Sequence, residues 1–137
     1  MPLLLVPTAA FPSDSLAHLE AAVDQEPTSL VRRVDLTRAL LDRYRYTRDA
    51  ALLAKAKDHT QAILAKDSTH FEARKAQARM LLFEKNYPQA LIASRSLNRK
   101  APDDVEIYGH LVEALRALGD RTEAEKQANG MLRLRPQ

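Results

Sequence analysis

The sequence predicts an all-α protein, an α-solenoid of about three helix–turn–helix repeats behind a leading N-terminal helix. Three observations carry that expectation. The first is composition: 22 Ala and 21 Leu among 137 residues, against three Gly and no Trp. These two are the strongest apolar helix formers. The scarcity of β-branched residues argues against sandwiches, barrels and Rossmann-type sheets. The second is a set of helix-start pairs in capping-box form or its Asn/Asp analogue: Thr69/Glu72, Asn86/Gln89, Asp103/Glu106 and Asp120/Glu123. In each pair the first side chain accepts from a free first-turn amide and the second reaches back to the cap. The four starts, at positions 69, 86, 103 and 120, keep one constant spacing. The third is an internal period of twice that spacing, which lays residues 71–102 over residues 105–136.

The elements follow in chain order. Residues 1–12 read as an N-terminal arm. Leu3 to Val6 followed by Thr8-Ala9-Ala10 also has the form of a signal-peptide remnant, but it lacks a basic segment and its apolar run is short. A leading helix spans 13–26, starting at Ser13 or Asp14 with Leu16, Leu19 and Val23 on one face, and stopping near Pro27. The first repeat occupies about 28–67. Thr28 or Ser29 caps a helix to about Arg45, Thr47-Arg48-Asp49 makes the turn, and a second helix runs to Lys66. The second repeat is 69–102, with Pro88 in a first turn where its missing N–H costs nothing. The third is 103–136, with Gly119-Asp120 closing one helix and capping the next. The whole of 13–137 reads as a single domain.

The alignment places Ala56, Ala90 and Ala124 in register, with Ile63, Leu97 and Met131, Leu81 and Leu115, Ala78 and Val112, and Pro102 and Pro136. With Tyr87, Tyr108, Leu111, Gly119, Asp120 and Leu132 these positions resemble the tetratricopeptide repeat (TPR) family over most of the chain, all but the arm and the leading helix. The resemblance implies a right-handed superhelix and a scaffold that binds proteins. Physical reasoning supports the small residues independently. Alanines where antiparallel helices cross let the axes approach to roughly 8–10 Å, and each helix pair leaves an apolar face for the next pair to cover.

Chemistry finds no foothold in the chain. Zero cysteines exclude disulfides, thiolate metal sites and cysteine nucleophiles. The four histidines (His18, His59, His70 and His110) lack ligand spacing, and three isolated glycines make no phosphate loop. No catalytic residue, cofactor or metal is expected, and no run is long enough to span a membrane.

Binding is the function the pattern favours. Charge is asymmetric: residues 1–27 carry four acids and no base, and residues 28–100 carry 16 bases and seven acids. In the TPR family the first helix of each pair lines the concave face. The resemblance therefore implies that Lys75, Arg79 and Phe83, with Glu106, His110, Glu113 and Arg116, face a groove for a peptide or helix of acidic character. Arg38 and Arg45 are the corresponding candidates in the first repeat. Two alternatives stand beside this reading. One is a homo-oligomeric or fragmentary scaffold with Leu132 and Leu134 at an open end. The weaker one is nucleic-acid binding through the Arg-rich stretch 38–48, where Tyr44 and Tyr46 interleave with arginines but Asp42 dilutes the charge. The compartment stays open: cytoplasm if residues 1–12 are simply an arm, periplasm or exterior if residues 1–10 are a signal remnant. The register itself is testable. Ala90→Leu or Ala124→Leu should destabilise by about 1–3 kcal/mol through overpacking, and a thermal midpoint unchanged by either substitution would place those alanines outside the helix crossings.

Overall fold

A computed structural model describes residues 12–134, with side chains from Leu16 onward. The expectations for residues 1–11 and for Pro136 lie outside the described residues. Seven helices and no strand occur among those described: α1 (Pro12–Gln25), α2 (Leu30–Thr47), α3 (Ala50–Lys66), α4 (Phe71–Phe83), α5 (Tyr87–Lys100), α6 (Val105–Ala117) and α7 (Arg121–Arg133). This is the all-α class that the composition predicts. Contacts group the chain into two units, Met1–Ser68 and Thr69–Gln137.

In the first unit α1 packs on α2, and α2 on α3. Ser29 takes an extended backbone and its Oγ accepts the Arg32 amide at 3.2 Å, starting α2. The helix runs to Thr47, past the expected end at Arg45, and stops when Arg48 turns left-handed (φ 57) and its amide donates to the Tyr44 carbonyl at 2.8 Å. Asp49 then caps α3 by accepting the Ala51 amide at 3.0 Å. Leu36, Leu40, Leu41, Ala56 and Ile63 are fully buried. Each large aliphatic among them contributes about 1.5–3 kcal/mol relative to exposure. Two buried threonines cost little, because the Thr37 and Thr60 hydroxyls donate to the carbonyls of Arg33 and Ala56 at 2.8 and 2.7 Å.

The second unit shows the repeat directly. α4 and α6 have the same length and begin at Phe71 and Val105, while α5 and α7 begin at Tyr87 and Arg121. Both displacements equal the period of the sequence alignment. The caps are His70, Asn86, Asp104 and Asp120. Their spacing therefore alternates, short within a helix pair and longer between pairs, and the uniform spacing read from sequence is corrected at two sites. Thr69 and Asp103 are not the caps. Before α6 the reason is a turn: the Asp104 amide donates to the Ala101 carbonyl at 3.1 Å, which makes Ala101-Pro102-Asp103-Asp104 a β-turn and pushes the cap on by one. Asp104 Oδ1 accepts the amides of Glu106 (3.0 Å) and Ile107 (3.3 Å), and His70 Nδ1 accepts that of Ala73 (3.2 Å).

Three small clusters form the core of this unit: Ala78–Leu97–Ile107, Leu82–Ala90–Ala114 and Leu111–Leu115–Ala124. Ala90 and Ala124 sit in them as helix-crossing residues, each at most 2% exposed. Leu81 and Met131, expected to be in the interior, are only half-buried. Gly130 has a separate role: a Cβ there would lie 3.0 Å from Tyr108 Cε1, so the missing side chain lets the ring lie against α7.

The helix ends repeat as well. Lys85 (φ 61) and Gly119 (φ 85), one period apart, both lie in the left-handed region. Behind them the amides of Asn86 and Asp120 close onto the carbonyls of Leu81 (2.8 Å) and Leu115 (2.9 Å), the six-to-one bond of a Schellman ending. Glycine suits this backbone and lysine does not. Lys85→Gly should therefore stabilise the protein by about 0.5–1 kcal/mol, read as a higher thermal midpoint. A lower midpoint would show that the lysine side chain contributes more than its strained backbone costs.

Candidate functional site

Within the second unit α4 and α6 lie side by side, and seven of the nine expected binding residues project from them. They divide into a locked end and an open end. At the locked end Lys75 is buried, its Nζ 3.0 Å from Asp104 Oδ2, 3.0 Å from Glu106 Oε1 and 3.6 Å from Glu72 Oε1. The ammonium also lies 5.7 Å from the Phe71 ring centre. Burial alone would lower the Lys75 pKa, but the hydrogen bonds and charges of Asp104, Glu106 and Glu72 outweigh it and hold the pKa above the ordinary value. Burial likewise pushes Asp104 up. The Lys75 hydrogen bond and charge, with the amides of Ile107 and Glu106, prevail and hold its carboxyl below the usual carboxylate range. Asp104 thus does two jobs, capping α6 with one oxygen and tying α6 to α4 with the other.

His110 sits against this cluster. It is buried, and its Nε2 has no hydrogen-bond partner. Burial, which outweighs the carboxylate of Glu106, lowers its pKa, with Arg79 and Lys75 acting in the same direction. The ring is a neutral wedge between α4 and α6. At the open end the Arg79 guanidinium lies 5.5 Å from the centre of the Phe83 ring, and Glu113 and Arg116 are exposed on α6. A Cβ at Gly109 would meet nothing within 4 Å.

The remaining two residues, Arg38 and Arg45, are exposed on α2 in the first unit. Near them Arg48 lies 5.4 Å from the Tyr44 ring centre, while Tyr46 is 82% exposed. One tyrosine of the Arg-rich stretch is therefore engaged within the chain and the other faces solvent.

Sequence reading missed Asp104 and Glu72 as partners of Lys75. The carboxylates near residue 104 read there as helix caps, and that explanation is half of what Asp104 does. The missing signal was the repeat: Asp104 occupies the cap position one period after His70, so it starts the helix beside the one that carries Lys75. Among the described residues no group of three or more His, Asp or Glu side chains is placed to hold a metal, and no helix is long and apolar enough to cross a membrane.

Two tests follow from the locked end. Lys75→Met leaves three carboxylates facing one another and should destabilise by about 1–3 kcal/mol near neutral pH. Because the Asp104 pKa is lowered on folding, the stability it contributes is present above its unfolded pKa and lost as pH falls through the folded value. The difference between wild type and Lys75→Met, followed by denaturant melts, should therefore shrink in acid. A constant difference would remove the ion pairs from the account. His110, also lowered, makes stability fall as pH drops below its unfolded pKa of about 6.5. His110→Leu should flatten that slope, and an unchanged slope would contradict the buried neutral ring.

No protein-family model matches the chain, and no curated protein matches it. Solved structures do. MamA MSR-1 C2 superposes with a TM-score of 0.58 and the MamA D159K mutant 1 with 0.57; both are 14% identical and cover 90% of this chain and 67% of their own. MamA is a TPR-like protein. At that identity the likeness concerns fold alone, and the fold of this chain is the TPR-like all-α helical repeat.

Proposed function

We propose that the protein is a non-catalytic interaction module that holds a peptide or helix of a protein partner on the open end of the α4/α6 face. The observation that carries the reading is the pairing of Arg79 with Phe83 on α4, with Glu113 and Arg116 exposed on the neighbouring α6. An aromatic ring with a guanidinium on its face offers both apolar contact and a charge, the combination enriched where binding energy concentrates. The locked end gives the face a rigid base. Lys75, Glu106 and His110 position the two helices, and Arg79, Phe83, Glu113 and Arg116 touch the partner.

This division changes the expected electrostatics. The face holds four carboxylates (Glu72, Asp104, Glu106 and Glu113) and three cations, and the charge of Lys75 is spent within the chain. Attraction for an acidic segment then falls to Arg116, exposed at the open end, with Arg79 half-buried over the Phe83 ring. Arg38 and Arg45, exposed on α2, belong to the first unit and are not part of this face.

The experiment is affinity capture from a lysate with the protein immobilised, the captured partner identified and then rebound in purified form. Arg79→Glu combined with Phe83→Ala should reduce affinity at least about tenfold, close to 1.4 kcal/mol or more, with helicity by circular dichroism unchanged. Full affinity in that variant would place the binding surface elsewhere. Light scattering across a concentration series is the control for a homo-oligomer, and binding to random oligonucleotides at two salt concentrations is the control for nucleic acid.

A further inference from the structure

The internal repeat supplies a template for a second surface. Inside the second unit α6 seats on α4 and α5, where Ala78, Leu82, Ala90, Leu91 and Leu97 meet Ile107, Leu111 and Ala114. Displacing that seat by one period gives Val112, Arg116, Ala124, Glu125 and Met131 on α6 and α7. The floor is kept: Val112 and Ala124 stay small or apolar, and Ala128 lies one turn beyond. The rim is not. Leu82, Tyr87 and Leu91 are replaced by Arg116, Arg121 and Glu125, all exposed.

A depression of about 430 Å³ runs between these residues, lined by Arg116, Arg121, Ala124, Glu125 and Ala128. Leu132, one helical turn further along the same side of α7, is 56% exposed. Neither Arg116 nor Arg121 forms an ion pair with another described residue.

We infer that this seat takes an amphipathic helix of a protein partner, docked as α6 docks on α4 and α5, with carboxylates where α6 has alanine. The geometry comes from the repeat and the chemistry from the rim. A wholly apolar helix of the α6 kind would strand two desolvated guanidinium groups, which is costly. A helix with acidic residues at the position of Ala114 would meet Arg116 and Arg121 beside Glu125, and its apolar ridge would cover Ala128 and Leu132 over a floor of already buried Val112 and Ala124. This surface shares Arg116 with the face of the proposed function but includes neither Arg79 nor Phe83.

The probe is a lactam-stapled peptide of residues 103–119 of this chain in three forms: the parent, Ala114→Glu and Ala114→Lys. Binding to the full chain is followed by fluorescence anisotropy at low salt. The Ala114→Glu peptide should bind about tenfold more tightly than the parent, and the Ala114→Lys peptide more weakly than either. On the protein, Arg121→Glu should reverse the order of the two charged peptides, while Arg79→Glu should leave it unchanged. Failure of all three peptides to bind, or affinities indifferent to the charge at position 114 or to Arg121→Glu, would overturn the inference and leave a solvated face on α6 and α7.

Discussion

The structure depends on one small side chain recurring where antiparallel helices cross. Ala56, Ala90 and Ala124 are each at most 2% exposed. A methyl group at the crossing lets two helices approach closely enough for leucine ridges on either side to interdigitate. Two consequences follow. In the second unit the buried residues form small clusters, and the side chains around them stand on helix surfaces. A protein built this way offers helix faces on which side chains stand at regular intervals.

The buried ion cluster shows how such packing fixes its geometry without a deep core. Lys75 bridges the first turn of α6 to the middle of α4, and Asp104 is at once cap and counter-ion. Such a pair adds little net stability after desolvation, yet it is specific, since removing either partner leaves charge uncompensated. The neutral His110 beside it completes the contact. The α4/α6 face is thereby divided into an ion-paired part around Lys75 and a part that carries Arg79 over the Phe83 ring.

The fold was legible in the sequence because its signals are local or periodic. The helices followed from alanine and leucine content, and the period from residues such as Ala90 and Ala124 that need nothing but spacing to be recognised. Cap positions were legible only to within one position: the β-turn at Ala101–Asp104, which moves the cap off Asp103, is a hydrogen-bond choice that composition does not specify. The site was less legible. On a helical wheel Lys75 and Arg79 are equivalent, one turn apart on one face. What separates them is the neighbour each meets. For Lys75 these are Asp104 and Glu106, carboxylates at the start of α6; for Arg79 they include the Phe83 ring, one turn on in its own helix. That difference belongs to packing, and a pattern of residue types does not contain it.

The central claim is that recognition occurs on the open part of the α4/α6 face. Hydrogen exchange followed by mass spectrometry, on the protein alone and with its captured partner bound, tests it most directly. The account requires slower exchange at the C-terminal turns of α4 and α6, from Arg79 to Glu84 and from Glu113 to Gly119, with the α2 and α3 segments around Leu40 and Ala56 unchanged. Protection confined to α2 and α3, with α4 and α6 exchanging as in the free protein, would contradict it.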